Sequence, residues 1–217
     1  MKILFLGKAD DPHNDRAVGF CRAHFPSVSV HLGRRGDPLP AEALDWRGDC
    51  IVSYLSRWIV PGEMLDRAAL AINFHPAPPQ YPGTGCTNFA LYDGATEYGV
   101  TCHHMAQAVD SGQIIAVRRF PIRSDDTVAS LLARTYEVQL ALFEEIFAML
   151  ARGEALPLSG DAWAPNARTR RELDALARIS PDMSAAEVAR RVRATTFGSW
   201  KPTVTLHGFT FELKDHA

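Results

Sequence analysis

Residues 72–94 read INFHPAPPQYPGTGCTNFALYDG, and the parsing of this stretch decides the architecture. Leu70 to Phe74 is a short run of apolar and small residues interrupted only by Asn73, the length of a buried strand. Pro76, Pro78, Pro79 and Pro82 together with Gly83 and Gly85 then forbid regular structure until about Thr87. The strand thus ends by delivering Asn73 and His75 to a rigid, irregular loop. Alternate residues of a strand share a face, so the two polar side chains project together from its end.

Working outward, Ile3 to Leu6, Val28 to Leu32 and Cys50 to Tyr54 are three more short apolar runs. Between them Asp15 to His24 and Pro61 to Arg67 predict helices, the second with proline in its first turn. The repeat of strand, helix, strand predicts an α/β protein with a Rossmann-like, mainly parallel twisted sheet flanked by helices. Ligands of such open sheets bind beyond the carboxyl ends of the strands, which is where Asn73 and His75 fall. Downstream, Thr87 to Tyr92 predicts a helix. Tyr98 to Met105 and Ile114 to Pro121 predict a hairpin-like pair of strands at the far side of the sheet, with Asp110 to Gly112 turning between them. Asp126 or Thr127 caps a long helix whose apolar positions, from Val128 and Leu131 to Phe147 and Leu150, recur at three-to-four spacing until Gly153. Beyond Glu154 the chain turns polar, so the expected division is a domain over 1–153 and a small extension over 154–217. The extension holds a helix opened by Ser184 and Glu187 at capping-box spacing, then a terminal hairpin of Thr203 to Leu206 and Phe209 to Leu213.

Composition excludes several function classes. The 217 residues carry 23 Lys and Arg against 25 Asp and Glu, which leaves no global positive field to hold nucleic acid or an anionic membrane. No apolar stretch approaches the ~20 residues of a membrane helix, and the opening MKILFLGKADD reaches acidic residues too soon for a secretion signal; the expectation is a cytoplasmic protein. Cys21, Cys50, Cys86 and Cys102 form no CxxC pair and read as free thiols. His103 and His104, adjacent on a strand, point to opposite faces, and no metal is expected. GTG at Gly83 to Gly85 completes no dinucleotide fingerprint, and GxxxxGK[ST] is absent.

Taken alone, an Asn-x-His pair would read as loop-entry residues satisfied by hydrogen bonds. The ordered set formed by HPAPPQYPG, TNFALYDG, YGVTCHHM and VDSGQII carries more. Asn73, His75, Pro79, Tyr81, Gly83, then Gly99, Val100, Thr101, His103, then Asp110, Gly112, Ile114 and Ile115 resemble, in order, the N10-formyltetrahydrofolate-dependent formyltransferases. The resemblance spans roughly residues 50–122. It implies the formyltransferase fold, a catalytic trio of Asn73, His75 and Asp110, and N10-formyltetrahydrofolate as co-substrate. It also implies a pterin slot lined by Arg57, Trp58, Ile59 and Val60 and by the backbone of Val109 and Asp110. An amide donor suits a developing oxyanion. An imidazole that titrates near neutrality suits either removal of an amine proton or oxyanion stabilisation, and both roles stay open for His75.

The acceptor is read from what the chain lacks and keeps. Family members acting on tRNA add a basic C-terminal barrel, whereas this sequence ends at 217 with net charge −2; the expectation is no nucleic-acid partner. The Tyr-Arg-Gly often found in the family's loop is Tyr81, Pro82, Gly83 here. The remaining wording looks most like the nucleotide-sugar N-formyltransferases, which modify amino-dideoxy sugars for cell-surface glycans such as O-antigen. Tyr81, Gly83, Thr84 and Asn88 are then the candidates for touching the sugar nucleotide, and a homodimer is implied. Arg168, Arg170 and Arg171 read as a solvated face, with a diphosphate contact as the other reading. Two alternatives share the trio: formylation of another small amine, and hydrolysis of the formyl folate.

Overall fold

The computed structural model describes residues 1–214; Asp215, His216 and Ala217, the end of the expected extension, lie outside the described residues. Strands β1 (Lys2–Lys8), β2 (Ser27–Gly33), β3 (Gly48–Tyr54) and β4 (Ala68–His75) alternate with helices α1 (Pro12–His24), α2 (Ala41–Leu44) and α3 (Gly62–Leu65). After the proline loop follow α4 (Cys86–Asp93), β5 (Glu97–His104), β6 (Ile114–Pro121) and α5 (Val128–Ala151). The six strands form one sheet in the order β2-β1-β3-β4-β5-β6. β2, β1, β3 and β4 run parallel, while β5 pairs antiparallel with β4 and β6 antiparallel with β5. The mainly parallel, helix-flanked sheet expected from the sequence is present, with the hairpin-like pair at its far edge.

Pattern and packing agree along these elements. β1 and β3 are nearly continuous buried runs, as parallel strands covered on both faces must be. α1 is capped by Asp11, whose carboxylate accepts from the backbone of His13 and Asn14, with Pro12 in the first turn. Thr127 caps α5 in a reciprocal box with Ser130. The apolar stripe of α5 lies on one face of the sheet in a cluster with α1, where Phe143 stacks on Phe147 at 4.2 Å and meets Tyr54 and Phe74 at 5.1 Å each. Phe143 is fully buried, so Phe143→Ala is expected to cost about 3–5 kcal/mol. The check is a urea melt with a lower midpoint and an unchanged slope.

The polar tail is more ordered than its composition suggests. Helix α6 (Arg170–Leu176) and strand β7 (Arg178–Ile179) were not expected; α7 (Ala185–Thr195), β8 (Thr203–Leu206) and β9 (Phe209–Glu212) were. α6 opens with a complete capping box between Thr169 and Glu172, hidden in a stretch that reads as basic surface. The box expected at Ser184 is only half formed. Ser184 accepts from the Glu187 backbone, but the Glu187 carboxylate turns to Arg191 and the Tyr92 hydroxyl, because a charged partner on its own helix holds it more strongly than the cap N–H. Leu173, Leu176 and Ala194 bury themselves with Phe89, Leu91 and Tyr98, and α4 packs on α7.

Candidate active site

The candidate reacting groups meet where the parallel part of the sheet gives way to the antiparallel part. Asn73 and His75 stand at the carboxyl end of β4, opposite His103 and Thr101 of β5. Ser53 of β3 is in register with Asn73 and shares its face. Asp110 arrives from the loop between β5 and β6 with φ 48°, a left-handed conformation that Asp and Asn tolerate better than most residues. That loop is held tight by Gly112: a Cβ there would lie 1.8 Å from the His104 carbonyl oxygen, so only glycine allows the approach.

The hydrogen bonds assign the protons. His75 Nε2 lies 2.9 Å from the Tyr81 carbonyl oxygen, which can only accept, so Nε2 carries the hydrogen. His75 Nδ1 then presents its lone pair 3.4 Å from Asp110 Oδ2. The same Oδ2 accepts from the Gly83 N–H at 2.9 Å. His103 Nδ1 donates to the His104 carbonyl at 2.8 Å, leaving Nε2 to accept from Asn73 Nδ2 at 3.0 Å and to stand 3.6 Å from Asp110 Oδ1. One N–H of Asn73 is thereby fixed, and the amide plane with it. The Cys86 thiol, at the start of α4, donates to the Gly83 carbonyl at 3.1 Å and lies 3.8 Å from His75 Nε2.

Burial and charge act in opposite directions on the two titrating groups. Burial lowers the His75 pKa, and this outweighs the nearby Asp110 carboxylate and the Tyr81 carbonyl, which raise it; His103 lowers it further. Burial alone would raise the Asp110 pKa, but the neighbouring His103 and His75 rings and the Gly83 N–H together hold it below the ordinary carboxylate range. Near neutral pH the arrangement is a neutral imidazole facing a carboxylate.

A cavity of about 400 Å³ opens in front of these groups. Asn73, His75, His103 and Asp110 form its floor, Arg57, Trp58, Ile59, Val60 and Val109 line it, and Gly83 and Thr84 form part of its rim. Trp58 is anchored through its indole N–H to the Asp37 carbonyl at 2.9 Å and packs on Gly33, which has no room for a side chain. Two residues expected at the site stand elsewhere. The Asn88 side chain is buried and donates to the Ala194 carbonyl at 2.7 Å, tying α4 to α7. The Tyr81 side chain lies outside this cavity, and its contribution to the site is its backbone carbonyl. Arg168 and Arg170 pair with Glu172 and Asp174. Sequence reasoning gave His103 no role beyond its place in the motif, although cross-strand register with Asn73 would have found it. Trp163, 5.6 Å from His75 and 4.9 Å from His103 between ring centroids, carried no signal in the polar stretch around it. Among the described residues no group of three or more His, Cys, Asp and Glu is placed to hold a metal, and no helix is long and apolar enough to cross a membrane.

Fold and site together define an α/β protein with an amide, two imidazoles and a carboxylate gathered at the ends of its parallel strands, over a partly apolar cleft. Residues 42–146 match the family model described as formyl transferase. It is 30% identical over 159 residues to GDP-perosamine N-formyltransferase of Brucella melitensis, covering 72% of this chain and 60% of the relative. To the methionyl-tRNA formyltransferase of Levilactobacillus brevis it is 28% identical over 160 residues, 71% of this chain and 49% of that one. The chain thus spans half to three fifths of the length of these curated relatives. Its fold matches that of an N-formyltransferase of Helicobacter canadensis, solved in complex with folinic acid and dTDP-3-aminofucose, with a TM-score of 0.74 and 18% identity over 96% of this chain and 85% of that one.

Proposed function

We propose that this protein transfers a formyl group from N10-formyltetrahydrofolate to the primary amine of an amino-dideoxy sugar carried on a nucleotide. The observation that carries the reading is the convergence of Asn73, His75 and Asp110 on the floor of one cavity. The wall of that cavity suits a flat, amide-rich heterocycle: Ile59 and Val109 are 75% and 54% exposed, apolar surface that a ring would cover. Arg57, Trp58, Ile59 and Val60 on one side and the backbone at Val109 and Asp110 on the other would hold the folate. When bound, it supplies a formyl carbon on an arylamine leaving group.

The chain's own groups then divide the work. The Asn73 N–H that is not engaged by His103 is a preorganised donor for negative charge developing on the formyl oxygen. The lone pair at His75 Nδ1 receives the proton from the attacking amine, the Asp110 carboxylate beside it stabilises the imidazolium that results, and as the carbon–nitrogen bond to the arylamine breaks that proton passes to the departing nitrogen, which restores the neutral imidazole. The Tyr81 carbonyl keeps the imidazole in the tautomer this requires. Because His75 must be neutral to act and its pKa is lowered, activity should persist on acidification below the ordinary histidine value of about 6.5 and fall only as pH passes through the lowered value. A pH profile of kcat/KM at saturating co-substrate checks this.

The acceptor enters over Gly83 and Thr84 at the rim. Among the described residues Arg171 has no carboxylate partner, unlike Arg168 and Arg170, which makes it the arginine of that group left to meet a diphosphate. A cytoplasmic location and a homodimer complete the reading, the dimer favoured by the exposed Phe209 and Phe211 on β9. The test is incubation with N10-formyltetrahydrofolate and a panel of nucleotide-linked amino sugars, with the sugar followed by mass. Formylation of another small amine alone would remove the sugar while leaving the transfer chemistry.

A further inference from the structure

The segment after α5 has no regular structure over residues 154–168, yet it is pinned at every few residues. Ser159 donates its backbone N–H to Ile114 at 3.1 Å, Asp161 pairs with Arg119 at 2.5 Å, and Ala164 donates to the Pro79 carbonyl at 2.9 Å. In the middle of this strap the Trp163 indole N–H donates to the Gly112 carbonyl at 2.8 Å. Its ring stands at 70° to His75 and 85° to His103, with centroids 5.6 and 4.9 Å away. It therefore touches both imidazoles, and through Gly112 the loop that carries Asp110. It does not line the cavity, so it reaches the two imidazoles from outside the space in front of them.

We infer that Trp163 is a positioning residue for the reaction, fixing the planes of both imidazoles and keeping water from the side of His75 that faces away from substrate. The inference rests on the formyl-transfer reading given above. Edge-to-face contact between rings is directional, and a small misplacement of a reacting group is enough to slow a reaction about a hundredfold. The titratable groups around His75 are Asp110 from the β5–β6 loop, His103 from β5, Cys86 from α4 and Tyr81 from the proline loop. Trp163 carries no charge, so its removal acts on His75 by admitting water and by loosening the ring.

The experiment compares Trp163→Ala and Trp163→Phe in the full chain, by steady-state kinetics over pH and by NMR titration of the His75 ring proton. For Trp163→Ala, kcat should fall about tenfold to a hundredfold with little change in either KM, and the acidic limb and the His75 titration should both move to higher pH. Trp163→Phe, which restores an aromatic ring, should recover most of the rate and the original profile. An Ala variant with unchanged kcat and an unmoved titration overturns the inference. So does a Phe variant as slow as the Ala variant. Should Trp163→Ala fold poorly, Trp163→Leu keeps apolar bulk and is judged by the same two outcomes. The NMR readout needs no turnover: a His75 titration that moves in a protein that formylates no amine sinks the functional reading and keeps the positioning role. Transfer activity with an unmoved His75 does the reverse.

Discussion

Asn73→Ala is expected to lower kcat by about a hundredfold to a thousandfold while the protein stays folded. Loss of one preorganised donor to a developing oxyanion costs about 2.7–4 kcal/mol of transition-state stabilisation. The structural cost is smaller, since among the described residues Asn73 contributes one side-chain bond, to His103 Nε2, and a typical net hydrogen bond is worth about 0.5–1.5 kcal/mol. The two magnitudes separate the readouts: a large drop in kcat with both KM values near wild type and a melting transition displaced only slightly. Equal losses in rate and stability would mean that Asn73 is a structural strut between β4 and β5 and that the oxyanion is held elsewhere.

Asp110→Asn should be at least as damaging, and it is a clean probe because asparagine accepts the φ of 48° that Asp110 adopts. The amide oxygen can still take the Gly83 N–H, so the loop is expected to keep its shape. What disappears is the negative charge 3.4 Å from His75 Nδ1. Without it the buried imidazolium has no counter-charge, and proton removal from the amine loses its driving force. General-base contributions run to about 10²–10⁴-fold, and a loss of kcat in that range is the expected outcome. Since Asp110 raises the His75 pKa and burial lowers it, the variant's remaining acidic limb should also shift to lower pH. A variant that keeps near-full activity would show that His75 needs no carboxylate.

Much of this arrangement was legible in the chain. The parallel strands announce themselves as short apolar runs between helix-forming segments, and period-two geometry placed Asn73 and His75 on one face at a strand end. Asp110 was legible only through the ordered family resemblance, since VDSG by itself is an ordinary turn; the contact between Asp110 and His75 is made by the fold. Asn88 misled because it sits beside the loop in sequence, whereas a helix starting at Cys86 turns it inward to Ala194. The backbone roles of Tyr81 and Gly83 and the reach of Trp163 depend on where carbonyls and a distant strap come to rest. Residue patterns encode periodicity and propensity but not such long-range approach.

The central claim is that the cluster passes a formyl group to an amine rather than to water. The most direct measurement mixes enzyme with N10-formyltetrahydrofolate in the presence and absence of a nucleotide-linked amino sugar and counts both products. The account predicts tetrahydrofolate and formylated sugar in equal amounts, with negligible tetrahydrofolate when the amine is withheld. Release of tetrahydrofolate at the same rate without the amine, with formate as the second product, would contradict it.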